Sequence, residues 1–177
     1  MNKNLSKLIY LGLLVTFGLV LHLVEQAIPN PFPLPGAKLG LANIITLVAL
    51  VLYGAKDAMF VAVLRVFLGS LLGGTILGFP FYLSLTGAVL SMAVMAITIP
   101  LKNKGILSLV GISLLGAVTH NVAQLFVASL LMEQLGILFL YLPYLLIFAI
   151  PTGLFTGLVS TLIIDVIYTN LQHVTRV

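Results

Sequence analysis

The spacing of charge constrains this chain more than any other feature. Between Asp57 and Lys102 the only charged side chain is Arg65, and between Lys104 and Asp165 the only one is Glu133. The 177 residues hold 8 Lys and Arg against 4 Asp and Glu, 7% of the chain, while 61% is hydrophobic. An ordinary soluble domain carries roughly 25% charged residues, and so few polar groups cannot cover a surface that faces water. A secreted scaffold, a disordered tail and a nucleic-acid-binding domain are excluded, despite the net charge of +4. The chain is predicted to be an all-α polytopic membrane protein. Cysteine is absent, which removes disulfides, thiolate catalysis and cysteine-bound metals.

A hydrocarbon core about 30 Å thick takes about 20 helical residues. By that measure the apolar runs divide into spans near 7–28, 39–54, 57–73, 81–100, 106–132 and 140–168, a six-helix bundle in a single domain over 1–177. Lys3 and Lys7 precede the first run as they would in a signal peptide. No small-x-small site follows, so an uncleaved helix is expected. Pro29, Pro31, Pro33 and Pro35 then impose a stiff, extended loop. The second span is short for a bilayer. The fifth exceeds what a bilayer needs and is expected to tilt or break. Pro151-Thr152-Gly153 is expected to kink the sixth.

Basic residues orient the bundle. With the N-terminus inside, Lys3, Lys7, Lys56, Lys102, Lys104 and Arg176 all fall on the cytoplasmic side and only Lys38 falls outside. That asymmetry places both termini in the cytoplasm of a cell-membrane protein.

Polar residues inside the spans are the candidate functional groups. Arg65 sits near the middle of the third span, about 12 Å from either surface. An unpaired arginine at that depth costs at least about 2.5–3.5 kcal/mol, so it needs a carboxylate, carbonyls, water or an anionic ligand. Glu25 is the candidate ion-pair partner; a ligand is the alternative, and the two are compatible. His22, Glu25 and Gln26 share one face near the end of the first span, either as an interfacial helix end or as part of a site. In the fifth span His120, Asn121 and Gln124 require partners across the bundle, supplied by interhelical hydrogen bonds or by a cavity they line. Asn43 makes a weaker case of the same kind.

Lys38, between Gly36 and Gly40, stands at a helix start, where free amides and an ammonium group suit an anion. The same sequence is also an ordinary helix beginning. Gly12 and Thr16, Gly69 and Gly73, and Gly153 and Gly157 are small-residue pairs one turn apart, which permit close helix approach inside the bundle or against a partner.

No known catalytic pattern is present. The stretch Gly69–Thr75 lacks the lysine of a phosphate-binding loop. Glu25, Asp57, Glu133 and Asp165 are too scattered to hold Mg²⁺ on a diphosphate. An enzyme is not expected, nor a metal or cofactor.

The stretch Pro35-Gly-Ala-Lys-Leu-Gly-Leu-Ala-Asn43, followed by Leu64-Arg65-Val66, Gly69-Ser70 and His120-Asn121, resembles the small membrane proteins called heptaprenyl diphosphate synthase component I, or the Gx transporter family. These are grouped with the S components of energy-coupling factor (ECF) transporters. The resemblance implies a six-helix bundle with an outward ligand pocket, docked on a membrane T component that two cytoplasmic ATPases drive. It maps the docking motif of the first helix onto Gly12 and Thr16, with threonine replacing the usual alanine.

The expected function is therefore binding of a small molecule, vitamin-like and anionic or polar-headed, for ECF-type uptake. Lys38 and Arg65 would hold its anionic end, while Asn43, His120, Asn121 and Gln124 orient it and Glu25 balances charge. One alternative is a noncatalytic membrane subunit in prenyl diphosphate or quinone metabolism or membrane electron transfer. Another is an autonomous channel or secondary transporter, which the lack of visible inverted repeats disfavours.

Overall fold

The computed structural model describes residues 3–28 and 40–174, with side chains over 5–28 and 40–169. The proline-rich stretch and Lys38 lie outside the described residues. Six helices form: α1 Lys3–Ala27, α2 Asn43–Tyr53, α3 Ala55–Leu72, α4 Phe79–Asn103, α5 Leu109–Leu131 and α6 Gly136–Val174.

Local chemistry sets their limits. Gly54, at φ +86°, ends α2 and starts α3 with no intervening loop, a backbone conformation that glycine adopts without strain. Pro80 occupies the first turn of α4, where its missing N–H costs nothing. Ser108 Oγ accepts from the Gly111 amide at 3.0 Å and caps α5. That cap moves the start of α5 inward from the expected 106. The helix is 23 residues long, so the expected need for a break disappears. Helix α6 runs through both Pro143 and Pro151.

The count of spans differs from the expected six. Four helices are long and apolar enough to cross a membrane, namely α1, α4, α5 and α6. Helix α2 has 11 residues, about 16 Å of rise, roughly half a hydrocarbon core. Helix α3 has the length but carries Lys56, Asp57 and Arg65.

Helix packing explains how α2 is sheltered. Helices α1, α3, α4, α5 and α6 follow one another in an arc of neighbours, and α2 touches all five. Among the described residues α1 and α6 do not meet, so α2 closes the arc. Asn43 through Leu50 are all buried. The apolar core surrounds this helix, with Leu47, Val48 and Ala49 against Val61, Ala62, Met92 and Ile112. The opposite surfaces are apolar and open, as on α1 with Leu13, Phe17, Val20 and Val24, and on α6 with Ile147, Phe155, Leu158 and Leu162. This is the pattern of side chains that face lipid.

Lys7 and Asp57 form an ion pair at 2.7 Å, tying α1 to the first turn of α3. The end of the bundle that holds this pair, the α2–α3 junction and Lys102 and Lys104 is called the basic end below.

The Gly153–Gly157 pair serves internal packing. A Cβ on Gly153 would sit 2.8 Å from Leu114 Cα, and one on Gly157 would sit 2.7 Å from Val110 Cα. Backbone therefore meets backbone between α5 and α6. Ser113 and Thr156 hydroxyls bond across this seam at 2.7 Å, and Ser160 Oγ reaches Ile44 O of α2 at 3.3 Å.

Gly157→Ala should lower stability by about 1–3 kcal/mol, because main-chain atoms cannot yield to an added methyl. Gly12→Ala meets nothing within 4 Å and should leave stability unchanged or raise it slightly. Thermal unfolding of the two variants in one detergent compares them directly.

Candidate functional site

Helix α2 begins deep in the bundle, level with the middle of α3, so it fills only the half of the axis nearest the basic end. Around its first turn the buried polar side chains gather. Asn43 is the junction: its Oδ1 accepts from Arg65 Nη2 at 3.0 Å, and its Nδ2 donates to Ser91 Oγ at 3.2 Å. One amide thus links α2, α3 and α4 with both of its polar atoms.

Arg65 is 3% exposed. Among the described residues Asn43 is its hydrogen-bond partner, and the buried Nε has none. Glu25 acts on the guanidinium electrostatically, but the carboxylate's hydrogen bonds go elsewhere. Glu25 Oε1 accepts from the Gly40 and Leu41 amides, the latter at 3.3 Å. The expected partner of Arg65 is therefore nearby but serves to hold the chain just before α2, whose own Ala42 cap position supplies no side-chain bond. A carboxylate beside free amides at a helix start is stabilising there.

Gly40 brings the two halves of the site together. It adopts φ +84°, and a Cβ there would lie 3.1 Å from Asn43 Nδ2 and 3.3 Å from His120 Cδ2. Gln124 Nε2 lies 2.8 Å from His120 Nε2. This contact joins the two side chains one turn apart on α5. Glu25, Gly40, Asn43, Arg65, Ser91, His120 and Gln124 thus form one polar neighbourhood drawn from five helices and one turn.

Bare glycine surfaces seat these side chains. A Cβ on Gly18 of α1 would sit 3.1 Å from Arg65 Cδ, and one on Gly87 of α4 would sit 2.9 Å from the His120 ring and 3.1 Å from Gln124 Cγ. Gly69 of α3 and Gly73 just past its end receive His22 and Gln26 of α1 in the same way. Gln26 Nε2 also donates to Thr75 Oγ1 at 3.3 Å, fastening α1 to the α3–α4 turn.

Asn121 is placed differently from the sequence expectation. Its Nδ2 donates to Leu145 O of α6 at 3.0 Å, away from His120 and Gln124, while its buried Oδ1 has no partner among the described residues. Neighbours in sequence point about 100° apart on a helix, so Asn121 tethers α6 rather than joining its neighbours. Ser91 and Gly87 are the site residues the sequence reading missed. A serine and a glycine in an apolar helix carry no signal until a partner helix is placed against them.

Gly12 and Thr16 lie on the exposed face of α1, with Thr16 Oγ1 bonded to Gly12 O at 2.9 Å. The threonine hydroxyl is thereby satisfied within its own helix, and the face remains open.

Fold and site define an all-helical protein with membrane-length apolar helices and a polar interior at one half of its axis. The family model described as heptaprenyl diphosphate synthase component I matches residues 14–163, and the chain belongs to that family. Comparisons with curated proteins and with solved structures each gave no match.

Asn43→Leu should destabilise the protein by about 1.5–3 kcal/mol, since it strips a hydrogen bond from a buried cation. Ser91→Ala removes only a neutral bond and should cost about 1 kcal/mol. Chemical or thermal unfolding in detergent ranks the two, and equal losses would contradict the assigned role of Asn43.

Proposed function

We propose that this protein is the substrate-binding S component of an ECF-type uptake transporter, and that its cargo is a small molecule with an anionic end. The observation that carries the reading is Arg65: a guanidinium 3% exposed, with one side-chain hydrogen bond and a buried Nε left over among the described residues. A buried cation so thinly partnered is an unfavourable way to stabilise a bundle but a ready receptor for a carboxylate or phosphate. Lys38, two positions before Gly40 in sequence, supplies a second cation to the same anion. Asn43, His120 and Gln124 set the ligand's orientation, Asn121 holds α6 in place, and Glu25 keeps the net charge of the site low.

The open Gly12–Thr16 face of α1 is the docking surface for the T component, with two ATPases beneath it and both termini in the cytoplasm. Gly12, where an added Cβ would meet nothing within 4 Å, leaves room on that face for close approach by another helix.

A second reading is favoured by the family description itself: a noncatalytic membrane subunit beside a prenyl diphosphate synthase. The two readings differ in partner. Crosslinking followed by co-purification should recover a T component and ATPases under the first, and a soluble synthase under the second.

Native mass spectrometry of the detergent-purified chain should find or accept an anionic small molecule. Arg65→Gln should weaken that binding by about tenfold to a hundredfold, the equivalent of one charge-assisted hydrogen bond, while elution and thermal unfolding show a folded protein. Unchanged occupancy in a folded Arg65→Gln variant would overturn the assignment.

A further inference from the structure

We propose that the protein carries a second, separate binding site, on its membrane-facing surface at the basic end, for the headgroup and upper acyl chain of an anionic phospholipid. A groove of about 540 Å³ opens between α3 and α4, lined by Ala55, Lys56, Met59, Met92, Ala93, Ala96 and Ile97. Six of those residues are apolar and the seventh is a lysine. The groove spans from the first turn of α3 along about 8 Å of α4. Its depth comes from Ala93 and Ala96, which set small side chains where Ile97 beside them projects outward.

An apolar groove in a bilayer gains nothing by being hydrophobic, because lipid tails are as apolar as its walls. Selectivity must come from charge. Lys56 stands at the groove mouth and is exposed. Lys102 and Lys104 continue the same end of α4 beyond Ile97, also exposed. Lys7, also at this end, is neutralised by Asp57 at 2.7 Å, which also removes the one acidic side chain adjoining Lys56 in sequence. A basic pocket between helices at the cytoplasmic side is suited to an anionic headgroup.

A comparison within the molecule supports the choice of occupant. A second open groove, of about 340 Å³ between α4, α5 and α6, is lined by Leu90, Thr119, Val122, Ala123, Phe126, Leu138, Phe139 and Leu142. It has no charged residue and the Thr119 hydroxyl is bonded to Leu115 O at 2.8 Å. Any acyl chain fits there without regard to headgroup. Of these two grooves, the α3–α4 groove couples a tail-sized cleft to a lysine.

The full chain in mild detergent, titrated with phosphatidylglycerol or phosphatidylcholine and read by native mass spectrometry, tests this. Wild type should retain phosphatidylglycerol in preference to phosphatidylcholine. Lys56→Gln, at an exposed position, should cut that preference by about fivefold, the share of one lysine near an anionic surface. Ala93→Phe fills the groove without changing charge and should reduce retained phosphatidylglycerol just as strongly. The proposal fails if Lys56→Gln leaves the preference intact. It fails equally if a folded Ala93→Phe variant retains the lipid as wild type does, because the attraction would then be diffuse charge; retention of an amphipathic peptide instead of lipid would also refute it.

Discussion

A guanidinium held between helices, with a single amide for a direct partner among the described residues, is the constraint around which this protein is arranged. Arg65 cannot face lipid without a large penalty, so α3 must turn it inward. Inward lies α1, which offers the bare surface of Gly18, and the first residue of α2, whose Asn43 side chain accepts from Nη2. Because α2 begins at Asn43, its first side chain meets the guanidinium at mid-depth of α3. The shortness of α2 and the depth of Arg65 are therefore one feature seen from two helices.

The same economy explains the distribution of glycine. In water a glycine inside a helix weakens it by roughly 1 kcal/mol relative to alanine, yet this chain places them repeatedly within its apolar helices or at their ends. Gly18, Gly69, Gly73 and Gly87 each lie under a polar side chain from a neighbouring helix. Gly153 and Gly157 let two backbones touch. Without a hydrophobic force between helices in lipid, packing and hydrogen bonds must hold the bundle, and both need close approach.

Much of this was legible beforehand. The apolar runs located all six helices, and the rarity of charge singled out Arg65, Glu25 and the His120–Gln124 pair. Less legible was what each group would bond to. Glu25 was the obvious carboxylate for Arg65, but its bonds go to the Gly40 and Leu41 amides, because a helix start lacking its own cap competes for the same oxygen. Asn121 adjoins His120 in sequence, yet it bonds Leu145 O on α6. The second apolar run, already short for a bilayer, is shortened further in the helix itself, because the turn at 41–42 precedes it.

Sequence alone determined that the chain is helical and bound for a membrane, because charge density and run length depend on composition and order, not on contacts. It determined too which side chains would be out of place there. Tertiary structure decided how those side chains are reconciled with an apolar interior: which glycine yields space, which amide reaches the cation, and which half of the axis is left to polar groups. Those outcomes depend on the rotation and depth of each helix relative to five others, and no local pattern along one helix encodes them.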